Sequence, residues 1–222
     1  MKIFGIIPAY NEEKKIFQVV KKVLRYADEI IVIDDGSADK TGFLAQKAGA
    51  RVYRHLLNRG LGAALATGKE IALKKGAEII FTIDADGQHE AEDLPKLLAP
   101  VIKGEVEVAI GSRFLEQSNI PLHRRFYNWI ANTVTWFFFG LKVSDSQSGL
   151  RCFNRAALQK IEIKGEKMEV SSEIIRELKL KKLSFKEVPI KAIYTPYSLS
   201  KGQNFLEGVK TLIRLILNKF LK

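Results

Sequence analysis

Two aspartates one residue apart, Asp84 and Asp86 in Ile79-Ile80-Phe81-Thr82-Ile83-Asp84-Ala85-Asp86-Gly87-Gln88-His89, have the types and spacing in this chain that point most directly to chemistry. An apolar run stops abruptly on them, as a strand buried on both faces does when its carboxyl end carries the acids. In an open α/β sheet, ligands bind at that end. Two carboxylates so close repel each other, and a hard divalent cation relieves the repulsion while keeping positions open for phosphate oxygens. The other reading is an acidic turn that caps the next helix, and the pair alone does not separate the two.

The elements that must hold the pair lie on either side of it. A strand over 2–7 ends at Pro8-Ala9-Tyr10-Asn11-Glu12 and leads into a helix with Ile16, Val19, Val20, Val23 and Leu24 at helical spacing. A second strand over 29–33 ends on Asp34-Asp35-Gly36-Ser37, with Asp39 and Thr41 opening the next helix. A third, over 51–55, passes through Asn58-Arg59-Gly60-Leu61-Gly62 into a helix over 63–74, where the glycines let the turn enter the helix tightly. The strand bearing Asp84 and Asp86 is the fourth, followed by a helix over about 91–103 and a fifth strand over 106–110 that runs into Gly111-Ser112-Arg113. This alternation predicts an α/β fold of right-handed βαβ units on a mostly parallel sheet.

Several chemistries are excluded at that sheet edge. The first turn lacks the glycines of a dinucleotide fingerprint, and no Gly-Lys-Ser/Thr phosphate loop is present. The single cysteine, Cys152, permits no internal disulfide or thiolate metal site and fits a reducing compartment. A formal charge of +11 over 222 residues predicts attraction to anions: nucleic acid, anionic lipid or phosphorylated small molecules. The apolar amino terminus is too short for a signal peptide or a membrane span.

Beyond the fifth strand the composition turns aromatic. Residues 126–139 hold Phe126, Tyr127, Trp129, Trp136, Phe137, Phe138 and Phe139, a segment too short to cross a bilayer that suits either its interface or an ordinary core helix. A polar tract, Ser144-Asp145-Ser146-Gln147-Ser148-Gly149, then becomes strand-like at Leu150-Arg151-Cys152-Phe153. A helix over about 171–181 and a strand over 186–194 follow, and Pro189 assigns that strand to an edge. The last segment, 205–220, gathers Phe205, Leu206, Val209, Leu212, Ile213, Ile216, Leu217 and Phe220 on one helical face, as an interfacial or docking helix does. The expected organisation is one domain over 1–202 and a carboxy-terminal amphipathic helix over 203–222, at the membrane surface or on a partner.

In order along the chain, Pro8-Ala9-Tyr10-Asn11-Glu12, Asp34-Asp35-Gly36-Ser37, Asp84-Ala85-Asp86-Gly87-Gln88-His89, Gly111-Ser112-Arg113 and Asp145-Ser146-Gln147-Ser148-Gly149-Leu150-Arg151 resemble the motif series of family-2 glycosyltransferases with a GT-A (Rossmann-like) fold. Within that family the resemblance is to the dolichyl- or polyprenyl-phosphate sugar synthases, and it spans about residues 3–200. Two departures stand out. Gly87 replaces the leucine that synthases often carry, and a single amphipathic segment stands where many members have carboxy-terminal membrane spans.

The resemblance implies a nucleoside pocket from Pro8, Tyr10, Glu12, Asp34 and Asp35, with Asp84, Ala85 and Lys201 also on the nucleotide sugar. It implies Mg²⁺ or Mn²⁺ held by Asp84, Asp86 and Gln88, and an acceptor phosphate on Arg113, Arg124, Arg125 and Arg151, since guanidinium matches phosphate oxygens bidentately. Asp86, Asp145 and Arg113 would carry catalysis. Asp145 is either the base for a hydroxyl acceptor or, with a lipid phosphate that needs no base, a residue orienting arginines such as Arg151. Lys201, in Ser198-Leu199-Ser200-Lys201-Gly202, resembles a basic loop that closes over the donor phosphates, or is plain surface. His89 supports the metal loop, and Glu173 matches a family acid only loosely.

The expected activity is metal-dependent, inverting transfer of a sugar to a polyprenyl or dolichyl phosphate, on the inner face of the cell membrane with the protein peripheral to it. GDP-mannose is the first expected donor and UDP-glucose the second. One alternative is transfer to a glycan or protein hydroxyl with Asp145 as base. Another, of a different class, is a non-catalytic basic protein bound to nucleic acid or a membrane surface. Nucleic acid is not the expected partner, because carboxylates at the sheet edge repel its phosphates.

Overall fold

The structure is a computed structural model that describes residues 1–115, 120 and 122–193. Lys201, the segment 203–222 and Tyr194 at the end of the last expected strand lie outside the described residues.

Uncharged β-branched and aromatic runs make the central strands. They fit a pleat covered on both faces, where a charge would lose its water. They give β1 (Ile3–Ala9), β2 (Glu29–Asp34) and β4 (Ile79–Thr82), joined by β3 (Arg51–Arg54), β5 (Val108–Ser112), β6 (Arg151–Asn154) and β7 (Phe185–Pro189). The seven strands form one sheet in the order β3-β2-β1-β4-β6-β5-β7. All neighbours are parallel except β6, which runs antiparallel between β4 and β5. β7 ends at Pro189 and occupies an edge, as a residue without a backbone donor requires.

Helices α1 (Ile16–Val23), α2 (Thr41–Lys47) and α4 (Leu94–Ile102) cover one face, where Ile16, Val20, Ala45, Leu94 and Leu97 meet Ile7, Val32 and Phe81. Helices α3 (Leu61–Lys74), α6 (Arg155–Lys160) and α7 (Val170–Leu180) cover the other, where Ala64, Leu65, Leu158 and Ile174 meet Ile6, Ile31 and Ile80. The alternation of Ile6 with Ile7 and of Ile80 with Phe81 between the two cores is the period-two pattern of a strand. A further helix, α5 (Leu122–Phe139), packs on α7.

The differences from expectation are local. The expected helix over 91–103 opens as a 3-10 turn, Ala91–Asp93, before α4, whose Pro95 suits a first turn with spare donors. The fifth strand is shifted to Val108–Ser112, because Val106 and Glu107 precede its pairing with β6. Short α6, which starts where the Asn154 side chain accepts from the Ala157 amide, had no long apolar period to announce it.

Candidate functional site

Strands β1, β2 and β3 follow one another outward, whereas β4 returns to the other side of β1. The crevice between the carboxyl ends of β1 and β4 is therefore the topological switch point, where open α/β sheets bind ligands. Pro8 and Ala9 end β1, and Ala9 pairs with Asp34 at the end of β2.

The loops beyond β1 and β2 are cross-linked. Asn11, in a left-handed conformation at φ 54°, donates its amide to Ser37 Oγ at 2.9 Å and accepts from the Ala38 amide at 2.9 Å. Buried Glu12 donates its amide to Thr41 Oγ1 at 2.7 Å, and its carbonyl starts α1. Tyr10 is exposed beside them.

The adjacent acids of this turn are used differently. Asp35 spends both oxygens on the next loop, accepting from the Arg59 and Gly60 amides at 3.0 and 2.7 Å and pairing with His55 Nδ1 at 2.6 Å. Asp34 is fully buried and accepts from the Ser37 amide at 2.9 Å through Oδ1. Among the described residues its Oδ2 has no hydrogen-bond partner, with Arg54 Nε 3.7 Å away. A buried carboxylate oxygen in that state offers itself to a ligand donor.

The glycines at 60 and 62 have a different reason from a tight turn alone. Gly60 does take a left-handed φ of 101°. A Cβ on Gly62 would stand 1.8 Å from the Gly165 carbonyl oxygen, because the loop before α7 lies directly on the start of α3. There the Glu166 carbonyl accepts from the Gly62 and Ala63 amides at 2.8 and 3.2 Å, so this helix start is capped by protein.

On the other side of the crevice stands the Asp84–Asp86 loop. Asp84 is half-buried, with Oδ2 3.2 Å from His89 Nε2. Gly149, from the polar tract, presses on it: a Cβ there would lie 2.2 Å from both Asp84 oxygens. Thr82 Oγ1 fastens that approach by donating to the Gly149 carbonyl at 2.7 Å. Burial works to raise the Asp84 pKa, but the His89 hydrogen bond and the charges of His89, Arg113 and Arg151 hold it below the ordinary carboxylate value. Asp86 goes the other way, raised first by burial and then by the charge of Asp84. Asp86 accepts from the Gln88 amide at 2.9 Å, and the Gln88 side-chain nitrogen donates to its other oxygen. Ala85 is buried between the acids. A strand-like strap crosses the loop, with Ala192 bridged to His89 and the Ile193 amide donating to the Gln88 carbonyl at 2.8 Å.

Among the described residues no group of three or more His, Cys, Asp or Glu side chains gathers as a metal cage. The pair offers instead hard oxygen donors with a mutual repulsion still expressed in Asp86. That fits a divalent cation sharing its remaining positions with phosphate oxygens and water.

The third part of the site is an acid–arginine pair. Asp145 is fully buried and receives Arg113 in a fork, Nε to Oδ2 at 2.7 Å and Nη2 to Oδ1 at 2.8 Å, with the Arg113 amide on Oδ2 at 3.2 Å. Both oxygens of Asp145 are thus engaged. The neighbours of Asp145 are held by residues the sequence did not mark: Ser144 donates its amide and hydroxyl to Glu187 Oε1 at 2.8 and 2.7 Å, and Asn132 of α5 accepts from the Ser146 amide at 2.9 Å. Asn132 was discernible only as one of three polar residues, Asn128, Asn132 and Thr135, at helical spacing inside an aromatic run.

Arg151 lies beneath both acids, 1 % exposed. Its Nη2 donates to the Ser146 carbonyl at 2.9 Å and the Ser171 carbonyl at 3.4 Å. Burial lowers its pKa to about 10, against the charges of Asp84 and Asp145. It lines a narrow pocket of about 40 Å³ with Pro8, Leu65, Asp84, Gln147 and Gly149. Arg125 is exposed at the start of α5, and the Arg124 side chain and Lys201 lie outside what is described. The site thus brings together Asp34, Asp84, Asp86, Gln88, Arg113, Asp145 and Arg151 at one sheet edge.

Comparison with known proteins bears on this geometry. Residues 6–162 match the family model described as glycosyl transferase family 2. Among curated relatives, the UDP-N-acetylglucosamine–dolichyl-phosphate N-acetylglucosaminyltransferase of Methanococcus voltae is 37% identical over 98% of this chain and 96% of its own. The polyprenol monophosphomannose synthase of Mycolicibacterium smegmatis is 36% identical over 71% of this chain and 63% of its own. Among solved structures, glucosyl-3-phosphoglycerate synthase from Mycobacterium tuberculosis, crystallised with Mn²⁺, UDP and glucosyl-3-phosphoglycerate, superposes with a TM-score of 0.76 at 20% identity, covering 98% of this chain and 79% of that one.

Proposed function

The chain belongs to glycosyl transferase family 2, and on that premise we propose that it moves a sugar from a nucleotide donor to a polyprenyl or dolichyl phosphate. The observation that carries the acceptor is the Arg113–Asp145 fork. A hydroxyl acceptor needs a base, yet both oxygens of Asp145 already accept from the Arg113 guanidinium, so neither faces an incoming hydroxyl unengaged. A phosphate acceptor is already an anion and needs none. Asp145 then holds Arg113 in a fixed orientation, and Arg113, 16% exposed, turns its remaining surface to the phosphate. The hydroxyl-transfer alternative is correspondingly unfavoured, and an enzyme replaces the non-catalytic binder.

In this scheme the Oδ2 of Asp34, which accepts no hydrogen bond among the described residues, and the face of Tyr10 take the nucleoside, while Asp35 shapes the loop behind it. Asp84 and Asp86 hold Mg²⁺ or Mn²⁺, with the Gln88 side chain orienting Asp86. When bound, the ion neutralises the diphosphate and acts as a Lewis acid on the leaving group. His89 and Gly149 fix the Asp84 carboxylate, and the His89 hydrogen bond and charge, followed by Arg113 and Arg151, favour its anionic form next to Asp86. The acceptor phosphate oxygen attacks the anomeric carbon from the face opposite the diphosphate. The anomeric C–O bond breaks, the nucleoside diphosphate leaves with the electron pair, and configuration inverts. GDP-mannose is the first donor proposed and UDP-glucose the second, and the Methanococcus relative adds UDP-N-acetylglucosamine to the screen. The reaction belongs on the inner face of the cell membrane, with the protein peripheral to it.

The test is transfer of radiolabelled sugar from each donor to a short-chain prenyl phosphate with Mn²⁺. Asp86→Ala is expected to lower the rate at least ~100-fold while leaving the circular dichroism spectrum unchanged, as loss of a group stabilising transition-state charge does. Full activity of that variant in the presence of a chelator would end the proposal.

A further inference from the structure

Glu187 stands in the middle of edge strand β7, half-buried, where an acid needs partners. Its strand neighbour Lys186 meets Glu105 at 3.6 Å on the surface, whereas Glu187 has no ion pair among the described residues. In a chain with 36 lysines and arginines, this acid turns to a serine instead. Its Oε1 accepts both the amide and the hydroxyl of Ser144, at 2.8 and 2.7 Å.

The direction of the protons follows. A carboxylate only accepts, so the single hydroxyl proton of Ser144 is used on Glu187. Ser112 Oγ, 2.6 Å from Ser144 Oγ, is then the donor of that contact, and it accepts the Phe114 amide at 3.3 Å. The chain runs one way, from the Phe114 amide through two serines to the acid, and each bond strengthens the next. The Ser144 carbonyl accepts from Asn132 Nδ2 at 2.6 Å and from Asn128 Nδ2 at 3.4 Å, so every polar group of Ser144 is engaged.

This chain lies one residue from the site on both sides. Ser112 precedes Arg113 and Ser144 precedes Asp145, so the two turns meet through two rungs, the serine pair and the arginine–aspartate fork. The chain beyond β7 then reaches the Asp84–Asp86 loop. The Ile190 amide donates to the Ser112 carbonyl at 3.0 Å and the Lys191 amide to Asp93 Oδ2 at 2.7 Å, and Ala192 bridges His89. Segment 187–193 therefore touches both halves of the site.

We propose that Glu187 is a positioning residue for the transfer: acting through Ser144 and Ser112, it sets the Arg113–Asp145 pair at a fixed distance from the Asp84–Asp86 loop. The inference rests on the lipid-phosphate reading, in which Arg113 meets the acceptor. The attacking oxygen must lie in line with the leaving group, and a displacement of about 1 Å costs ~100-fold in rate.

Glu187→Leu is expected to lower kcat/KM for a short-chain prenyl phosphate at least ~10-fold, while stabilisation by nucleotide sugar with Mn²⁺ is retained and shows the variant folded. Glu187→Gln offers Ser144 an oxygen of the same reach and is expected to recover most of the loss. Ser144→Ala removes the hydroxyl link alone, and its effect should be largely absorbed when combined with Glu187→Leu, since residues acting through one contact are not additive. A second readout needs no turnover. The Arg113 Nε–H signal in ¹H–¹⁵N spectra, identified by its loss in Arg113→Lys, should exchange with solvent faster in Glu187→Leu than in Glu187→Gln or the wild type. Equal losses in the leucine and glutamine variants, additive losses in the double variant, or an Arg113 signal indifferent to Glu187→Leu would overturn the proposal. A wild type that transfers from no nucleotide sugar would count against the transferase reading, and the Arg113 signal would still decide whether Glu187 holds the pair.

Discussion

Gly149 shows how one atom decides a site. Its backbone has closed on Asp84 until no side chain fits, since a Cβ would lie 2.2 Å from both carboxylate oxygens. Asp84 is already held by His89 on its other side, so it has one position to take. Gly149→Ala must therefore push the carboxylate aside or lift the start of β6 from Thr82. A stability loss of ~1–3 kcal/mol by urea denaturation is expected from such overpacking, together with loss of Mn²⁺-dependent transfer. An alanine variant that keeps its metal response would show that Asp84 does not need this rotamer. Nothing in Asp-Ser-Gln-Ser-Gly announces the contact, because it joins residues 65 positions apart; Asp84 and Asp86, just beyond the end of β4, were legible as a pair by their spacing, though spacing did not say what they hold. Asp34 and Asp35 were legible as acids and indistinguishable as neighbours, since what separates them is whether a third strand's loop turns toward them.

At the scale of elements, the central strands β1, β2 and β4 were legible because burial on two faces leaves an uncharged stretch within each, and edge strand β7 because proline has no amide to donate. α5 was ambiguous for a physical reason: aromatic content marks either a core helix or an interfacial one, and only its packing shows that asparagines face inward. Asn132→Leu tests that inward face. It leaves the Ser146 amide without its partner and the Ser144 carbonyl with only the longer Asn128 Nδ2 bond at 3.4 Å, at a cost of ~1–3 kcal/mol, and lets Asp145 drift. Turnover should fall more than donor affinity does, whereas a purely structural residue would lower stability with kcat retained. A second element is fixed by charge. Glu107 accepts from the Ser184 amide at 3.0 Å and from Lys160 at 3.3 Å at the start of β7, and these bonds, with the amide first, hold its pKa below the ordinary value. A depressed carboxylate contributes stability that is present above the unfolded-state pKa and is lost as pH falls through the folded one. Between about pH 5 and 3 the melting temperature of the wild type should thus fall more steeply than that of Glu107→Gln; parallel slopes would show the anchor to be unimportant.

At the scale of the molecule, a sheet edge dense in carboxylates sits in a chain of net charge +11, and these two facts conflict unless something positive stands between the acids and a phosphorylated ligand. His89, with Arg113 and Arg151 behind it, answers part of this, since these groups lower Asp84, but Asp86 stays raised. The remainder is what a divalent cation would supply, so donor and metal should bind as one unit. At donor concentrations near 100 times Kd, linkage adds about 2.7 kcal/mol, which for a chain of this size raises the melting temperature by roughly 5–10 °C. That rise should require nucleotide sugar and Mn²⁺ together, be far smaller with either alone, and vanish in Asp86→Ala. A donor that stabilises the wild type equally well in a chelator would mean that the arginines meet the diphosphate unaided, and that the aspartate pair serves the fold of its own loop.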